Sequence, residues 1–261
     1  MFKLTLRSVP AVLALVCVLG LSACGSTNDR LKGETPQALF DESKELQGAG
    51  SFERAIKGFE QLQGTFPYGA HAQQAQLEIA YSYYKMMDSA SAVAAADRFI
   101  KQYPNHPNVD YAYYLKGIST QITEDSFLNV IYERDMADLD QASVLESFDV
   151  FRELVRRFPE SRYAADARGR MTKIIDALAR HELKVARYYL RRGAPLAAVN
   201  RAKGILKDHG ESGAVEEALA IMVSSYDQLG LPVLKTDAER VLRQNYPKSA
   251  WLSSKYVPPD H

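Results

Sequence analysis

The stretch RRFPESRYAADAR, Arg156 to Arg168, sets an aromatic residue before a proline and then small residues at the start of a new apolar period. Variants recur as TFPYGAHAQQA from Thr65, QYPNHPNVDYA from Gln102 and NYPKSAW from Asn245. Proline has no N–H to continue a helix and disfavours helical geometry in the residue before it. Each corner therefore ends one helix and sets the angle of the next, and a chain that repeats it is an array of similar units.

Working outward from the corners, each unit reads as two amphipathic helices joined by a short turn. In the first, Leu39, Ser43 and Leu46 share a face, the turn falls at Gly48-Ala49-Gly50, and Phe52, Ala55, Phe59 and Leu62 face inward from the second helix. The second unit carries Leu77, Ala80, Tyr83 and Tyr84, then Ala92, Ala95, Ala96, Phe99 and Ile100. Such i, i+3, i+4, i+7 spacing is what a helix with one buried face needs. Pro67 and Pro104 stand 37 residues apart, close to the period of about 34 of a tetratricopeptide repeat.

A third unit runs from Asn108 through Tyr111, Tyr114 and Ile118 to SVLESFDVFRELVRRFP, interrupted by SFLNVIYERDMADLDQA. The fourth opens with a long helix from Tyr163 through Ile174, Leu178, Leu183 and Tyr188 to Gly193, and PLAAVNRAKGILKDHG pairs with it. There His209-Gly210 replaces aromatic-proline. AVEEALAIMVSSYDQLGL and TDAERVLRQNYP make the fifth unit, closing at Pro247. The pattern predicts an all-α tetratricopeptide-repeat superhelical solenoid of about five helix pairs, whose extended concave face reads as a binding surface. Residues 36–160 hold repeats 1–3 with an insertion at about 123–141, residues 161–253 hold repeats 4–5, and 254–261 form a tail.

The N-terminus has the layout of a secretory signal at 1–23: Lys3 and Arg7, an apolar run from Val9 to Leu21, then small residues. That run is shorter than the roughly 18 residues of a membrane-spanning helix. Leu21-Ser22-Ala23-Cys24 resembles the lipobox of bacterial lipoproteins, which implies diacylglycerol on the Cys24 thiol and residues 24–35 as a lipidated tether. Gly25, where inner-membrane lipoproteins carry Asp, implies the outer membrane and its periplasmic face. Cys17 is lost with the leader, so the mature chain has no thiol pair for a disulfide or a cysteine metal site. With 32 basic and 32 acidic residues, nothing points to nucleic acid.

Catalytic signatures such as His-Glu-x-x-His, Gly-x-Ser-x-Gly and the phosphate-binding loop are missing, and no enzyme or cofactor is expected beyond the covalent lipid. His71 and His106 sit at corners and read as solvated or capping; Glu216 and Glu217 read as a solvated first turn. Three features exceed that background. Tyr81, Tyr83 and Tyr84, and Tyr111, Tyr113 and Tyr114, fall on consecutive first helices, where they either pack between helices or line the concave face for an extended peptide. The insertion is either functional or a surface excursion. Arg187, Arg191, Arg192 and Arg201 gather around the fourth turn and suit partner carboxylates, or complement the helix dipole.

QQAQLEIAYSYYK at 73–85, DRFIKQYPNHPNVDYAYYLKG at 97–117, RYYLRRGAPLAAVNRAKGILKD at 187–208 and the Cys24 lipobox resemble the BamD family of the β-barrel assembly machinery, over nearly the whole mature chain. The resemblance implies a scaffold that binds the barrel protein BamA, accessory Bam lipoproteins and unfolded outer-membrane proteins, anchored by lipid in the outer membrane. It implies a BamA contact at Arg201, with Arg192, Tyr188 and Tyr189 on the same segment, and client binding in the region of Tyr81, Tyr84, Tyr111 and Tyr114. The rival reading is a pilotin-like tetratricopeptide lipoprotein assisting secretin or pilus assembly; a third is a catalytic or cell-wall-processing accessory.

Overall fold

The computed structural model describes residues 34–121, 137, 141–254 and 256–258. Among these lie ten α-helices and no strand. They pair in chain order: α1 (Pro36–Gly48) with α2 (Phe52–Thr65), α3 (Ala70–Lys85) with α4 (Ser89–Gln102), α5 (Val109–Thr120) with α6 (Gln141–Arg157). Then come α7 (Ala164–Arg191) with α8 (Pro195–Asp208) and α9 (Val215–Gln228) with α10 (Pro232–Asn245), followed by a 3₁₀ turn at Ala250–Leu252. Each helix packs on its sequence neighbours, and first helices also touch across repeats, as α1 with α3, α3 with α5 and α7 with α9. This is an all-α tetratricopeptide-type solenoid of five helix pairs, as the spacing predicts.

The corners repeat in atomic detail. Phe66, Tyr103, Phe158 and Tyr246 each donate their backbone N–H to the carbonyl four residues back, on Leu62, Phe99, Leu154 and Leu242, at 2.7–2.8 Å. All four acceptors belong to residues with side chains sealed in the core. The carbonyls of Tyr103, Phe158 and Tyr246 then accept from the third residue onward, His106, Ser161 and Ser249, at 3.0 Å. His209, which has no proline after it, makes the same two bonds, to Ile205 at 2.9 Å and from Ser212 at 3.0 Å, with φ −136° against −130° at the aromatic-proline corners. Proline biases this corner; the packing of the helix end fixes it.

The turns inside the repeats obey a second rule. In the four described turns, the second residue after the first helix crosses into the left-handed region, at Gly50 (φ 77°), Met87 (60°), Gly193 (69°) and Gly230 (66°). Behind it Ser51, Asp88, Ala194 and Leu231 donate to Leu46, Tyr83, Tyr189 and Tyr226 at 2.9–3.0 Å, the six-to-one closure that satisfies orphan helix carbonyls. Glycine takes that conformation at little steric cost; Met87 does not. The next helices are started by Asp88, whose side chain accepts from the Ser91 N–H, and by Pro195 and Pro232 at their first turns.

The interior consists of several apolar clusters strung along the chain, as a quasi-linear array requires. In the third repeat, α5 and α6 approach so closely at Gly117 that a Cβ there would lie 2.6 Å from the Phe151 ring. The insertion lies outside the described residues except for Ala137 and Gln141; Ala137 is buried, with its carbonyl 2.9 Å from Nδ1 of His181 on α7. The twenty-eight residues of α7 make it by far the longest helix described.

Candidate functional site

Among the described residues, one groove in each half of the solenoid gathers the side chains singled out by the sequence. The front groove, about 470 Å³, is lined by Lys44, Gln47 and Gly48 of α1, Glu78 and Tyr81 of α3, Tyr111 of α5, and Arg162 and Tyr163 of the corner before α7. Its floor is tied across helices: Lys44 donates to Glu78 at 2.9 Å and to Gln47 at 2.6 Å, and the Gln47 amide donates to Ser82 at 2.9 Å. The wall is aromatic. Tyr163 lies 5.2 Å from Tyr111 and stacks on Tyr114 at 4.8 Å, and the Arg162 guanidinium sits 4.7 Å over the Tyr163 ring.

Of the four tyrosines expected here, Tyr81 and Tyr111 line the groove. Tyr84 packs behind Tyr81, 6.4 Å ring to ring. Tyr114 donates its hydroxyl to Asp166 at 2.8 Å, and the Arg170 guanidinium lies 5.7 Å from its ring. The i, i+3 spacing within each pair places both rings on one side of the helix. Burial pushes the Tyr111 hydroxyl well above its ordinary pKa, with Tyr163 and Glu78 adding to the effect. Desolvation likewise raises Tyr114, followed by its bond to Asp166. Tyr113 turns away, accepting from Arg157 at 2.6 Å, and its ring lies 5.9 Å from Phe158.

The rear groove, about 490 Å³, lies between α7 and α8, lined by Glu182, Tyr189, Ala197, Asn200, Arg201, Gly204, Asp208 and His209. Arg201 is about half exposed and reaches Glu182 at 3.3 Å, a loose pair. Tyr188 is exposed, edge-on to Tyr189 at 5.7 Å, with the Arg192 guanidinium 5.9 Å from its ring.

The four arginines do not form one cluster. Arg187 is instead held in a bidentate pair: its guanidinium donates twice to Glu217 of α9, at 2.6 and 2.5 Å, and Tyr256 of the tail donates to the same carboxylate at 2.5 Å. Glu217 is thus no solvated first-turn residue. It pairs because α9 packs against α7, a contact thirty residues apart in sequence. The expectation for the corner histidines divides similarly. His106 accepts the Asn108 N–H at 3.0 Å through Nδ1, a capping bond, whereas the His71 ring lies 5.7 Å from that of Phe40.

Sequence reasoning missed Tyr163, Arg162, Lys44 and Glu78 as groove residues. A signal existed for Tyr163: the fourth residue past the corner proline is aromatic at His71, Tyr163 and Trp251. A second missed signal is charge. Residues 36–160 hold 19 acidic and 11 basic side chains, and residues 161–253 hold 16 basic and 10 acidic. The overall balance hides an acidic front and a basic rear. Among the described residues no group of three or more His, Cys, Asp or Glu is placed to hold a metal, and no helix is long and apolar enough to cross a membrane. Cys24 lies outside the described residues.

A solenoid with two open grooves of aromatic and charged side chains has the build of a protein-binding scaffold. Residues 32–242 match the family described as outer membrane lipoprotein, YfiO. The chain is 42% identical over 248 residues to the outer membrane protein assembly factor BamD of Neisseria meningitidis serogroup A, covering 93% of each chain. It is 35% identical to that of Xylella fastidiosa strain 9a5c (86% of this chain, 77% of the relative) and 33% to that of Vibrio cholerae (86% and 92%). It belongs to the BamD family of outer membrane lipoproteins. A solved tetratricopeptide protein of Thermus thermophilus aligns at TM-score 0.36 and 13% identity, over 84% of this chain and 95% of its own, a likeness too loose to add to the helix pairing.

Proposed function

We propose that the chain is an outer-membrane-protein assembly scaffold, anchored by lipid on Cys24 at the periplasmic face of the outer membrane. Its rear groove binds BamA, and its front groove binds unfolded outer-membrane proteins, alongside accessory Bam lipoproteins. The observation that supports this most directly is that the chain is similar over most of its length to relatives named assembly factor BamD, and that its two grooves differ in chemistry.

The front groove suits an aromatic residue of an extended segment: Tyr81, Tyr111 and Tyr163 offer ring faces and edges, and the rim carries Lys44, Glu78 and Arg162. In the rear groove Arg201 holds a partner carboxylate in exchange for its loose pair with Glu182, while Tyr189 supplies apolar contact. Tyr188 and Arg192 extend that contact to the rim. No proton or group transfer is involved; the scaffold acts by holding two partners at a fixed separation.

Affinity purification of the lipidated protein from membranes tests the reading. BamA is expected in the wild-type eluate and lost with Arg201→Glu, which puts a second carboxylate beside Glu182. Recovery of a secretin in place of BamA would sink it. For the front, a peptide ending in an aromatic residue is expected to protect Tyr81 from chemical modification; protection confined to the fifth repeat would move the client site.

A further inference from the structure

The rear groove holds a residue that the fold does not account for. Along α8, Ala197, Arg201, Gly204 and Asp208 line it at spacings of four, three and four, one face of the helix, beside the buried face of Ala198, Val199, Ala202 and Ile205. Gly204 stands in that stripe and in the interior of a fourteen-residue helix, where glycine is a weaker helix former than alanine. Packing does not ask for it. At Gly117 a Cβ would strike the Phe151 ring at 2.6 Å, whereas at Gly204 a Cβ meets nothing within 4 Å. Nor does the backbone: Gly204 is ordinary helix, unlike the left-handed Gly193 and Gly230. The missing side chain does nothing for its own helix and leaves the groove floor bare.

The bare stretch is flanked by charge. Arg201 and Asp208 stand seven residues apart, about 10 Å along the helix. Asp208 is the last residue of α8, where the helix dipole disfavours a carboxylate. Its ion pair is with its chain neighbour Lys207 at 3.8 Å, both side chains more than half exposed. Like Arg201, it is loosely engaged by the fold. Across the gap α7 supplies Glu182 and Tyr189.

We propose that Gly204 is the saddle over which one segment of BamA crosses α8, with an acidic side chain on Arg201 and a basic side chain on Asp208. A helical glycine lets a partner's main chain approach closely, and any side chain there would fill the space. The charges select the segment. Glu182 and Asp208 set two carboxylates against one guanidinium in this groove, so a purely acidic segment is repelled and one carrying both signs is held. The inference rests on the rear groove as the BamA site and adds the partner's local chemistry and the residue that admits it.

The test titrates the lipidated full chain against full-length BamA in detergent, with thermal unfolding of the chain read alongside. Gly204→Ala is expected to raise the melting temperature, because a methyl group enters open space on a better helix former, and to weaken BamA binding several-fold. Gly204→Leu is expected to weaken it by about tenfold or more at a melting temperature no lower than that of the wild type. Asp208→Asn is expected to keep the fold, to lose several-fold in affinity and to lessen the salt dependence of binding. Wild-type affinity in Gly204→Leu overturns the proposal. Gly204→Ala decides where the larger residue does not fold: unchanged affinity, or a lowered melting temperature that makes the glycine a packing requirement, overturns it. Unchanged affinity and salt dependence in Asp208→Asn overturn the pairing of opposite charges. A wild-type chain that does not bind BamA sinks the assignment of the groove, whereas a wild-type chain that binds it no better than the Gly204 variants sinks the saddle alone.

Discussion

The front and rear halves share one backbone plan and hold themselves together differently. Where the third repeat meets the fourth, the join is made by rings, Tyr111 and Tyr114 against Tyr163. In the rear, the crossing from α7 to α9 and the tail is a charged knot, Arg187 with Glu217 and Tyr256. An aromatic joint keeps its faces available to a ligand because stacking does not saturate a ring, whereas a bidentate guanidinium–carboxylate pair is spent on the fold. That is why Arg187 is structural, while Arg201, half exposed and only loosely paired with Glu182, is the arginine proposed for a partner.

The sharpest way to break the contrast is Glu217→Ala. It leaves a largely buried guanidinium uncompensated, and the expected loss is about 3 kcal/mol in urea unfolding, confined to the rear repeats. A uniform loss across both halves, or less than about 1 kcal/mol, would show that the knot is not what holds the rear. Next comes Gly117→Ala in front, where the new methyl meets Phe151 at 2.6 Å; about 1–3 kcal/mol should be lost, and Phe151→Leu should restore part of it.

Smaller effects separate the turns. Gly193→Ala at φ 69° is expected to lower stability by about 1 kcal/mol, and Met87→Gly at φ 60° to raise it by less than that, both read from thermal unfolding. The smallest effect is alkaline. Tyr111 in front and Tyr256 in the rear have their folded pKa raised by burial, so an unfolded chain loses these protons first, near pH 10. Stability from both is intact below that pH and falls as pH rises beyond it. Tyr111→Phe should flatten the decline seen in front, and a decline unchanged by it would assign the effect elsewhere.

Much of the fold is written locally. Aromatic-proline corners, left-handed glycines and apolar residues at helical spacing each act within a few residues, so the sequence alone marks the helix pairs and the long α7. The His209-Gly210 corner looks like an exception in sequence and is none in space, because hydrogen bonds to the helix end give it the common shape. The grooves were legible only in part. Tyr81 and Tyr111 follow from their place on first helices, yet Tyr163 and Arg162 read as a mere joint, and Lys44 carried no signal at all.

What the sequence by itself determined is the repeat: its period, its corners, the all-α class and the family resemblance, since each rests on side chains close in the chain. What only the tertiary structure decided is which charged and aromatic residues are tied into the fold and which line open grooves. Lys44 meets Glu78 across 34 residues, Tyr114 meets Asp166 across 52 and Arg187 meets Glu217 across 30, and these meetings depend on how far one helix pair turns against the next. That rotation is a sum of packing contacts along the solenoid, and no single stretch of sequence contains it.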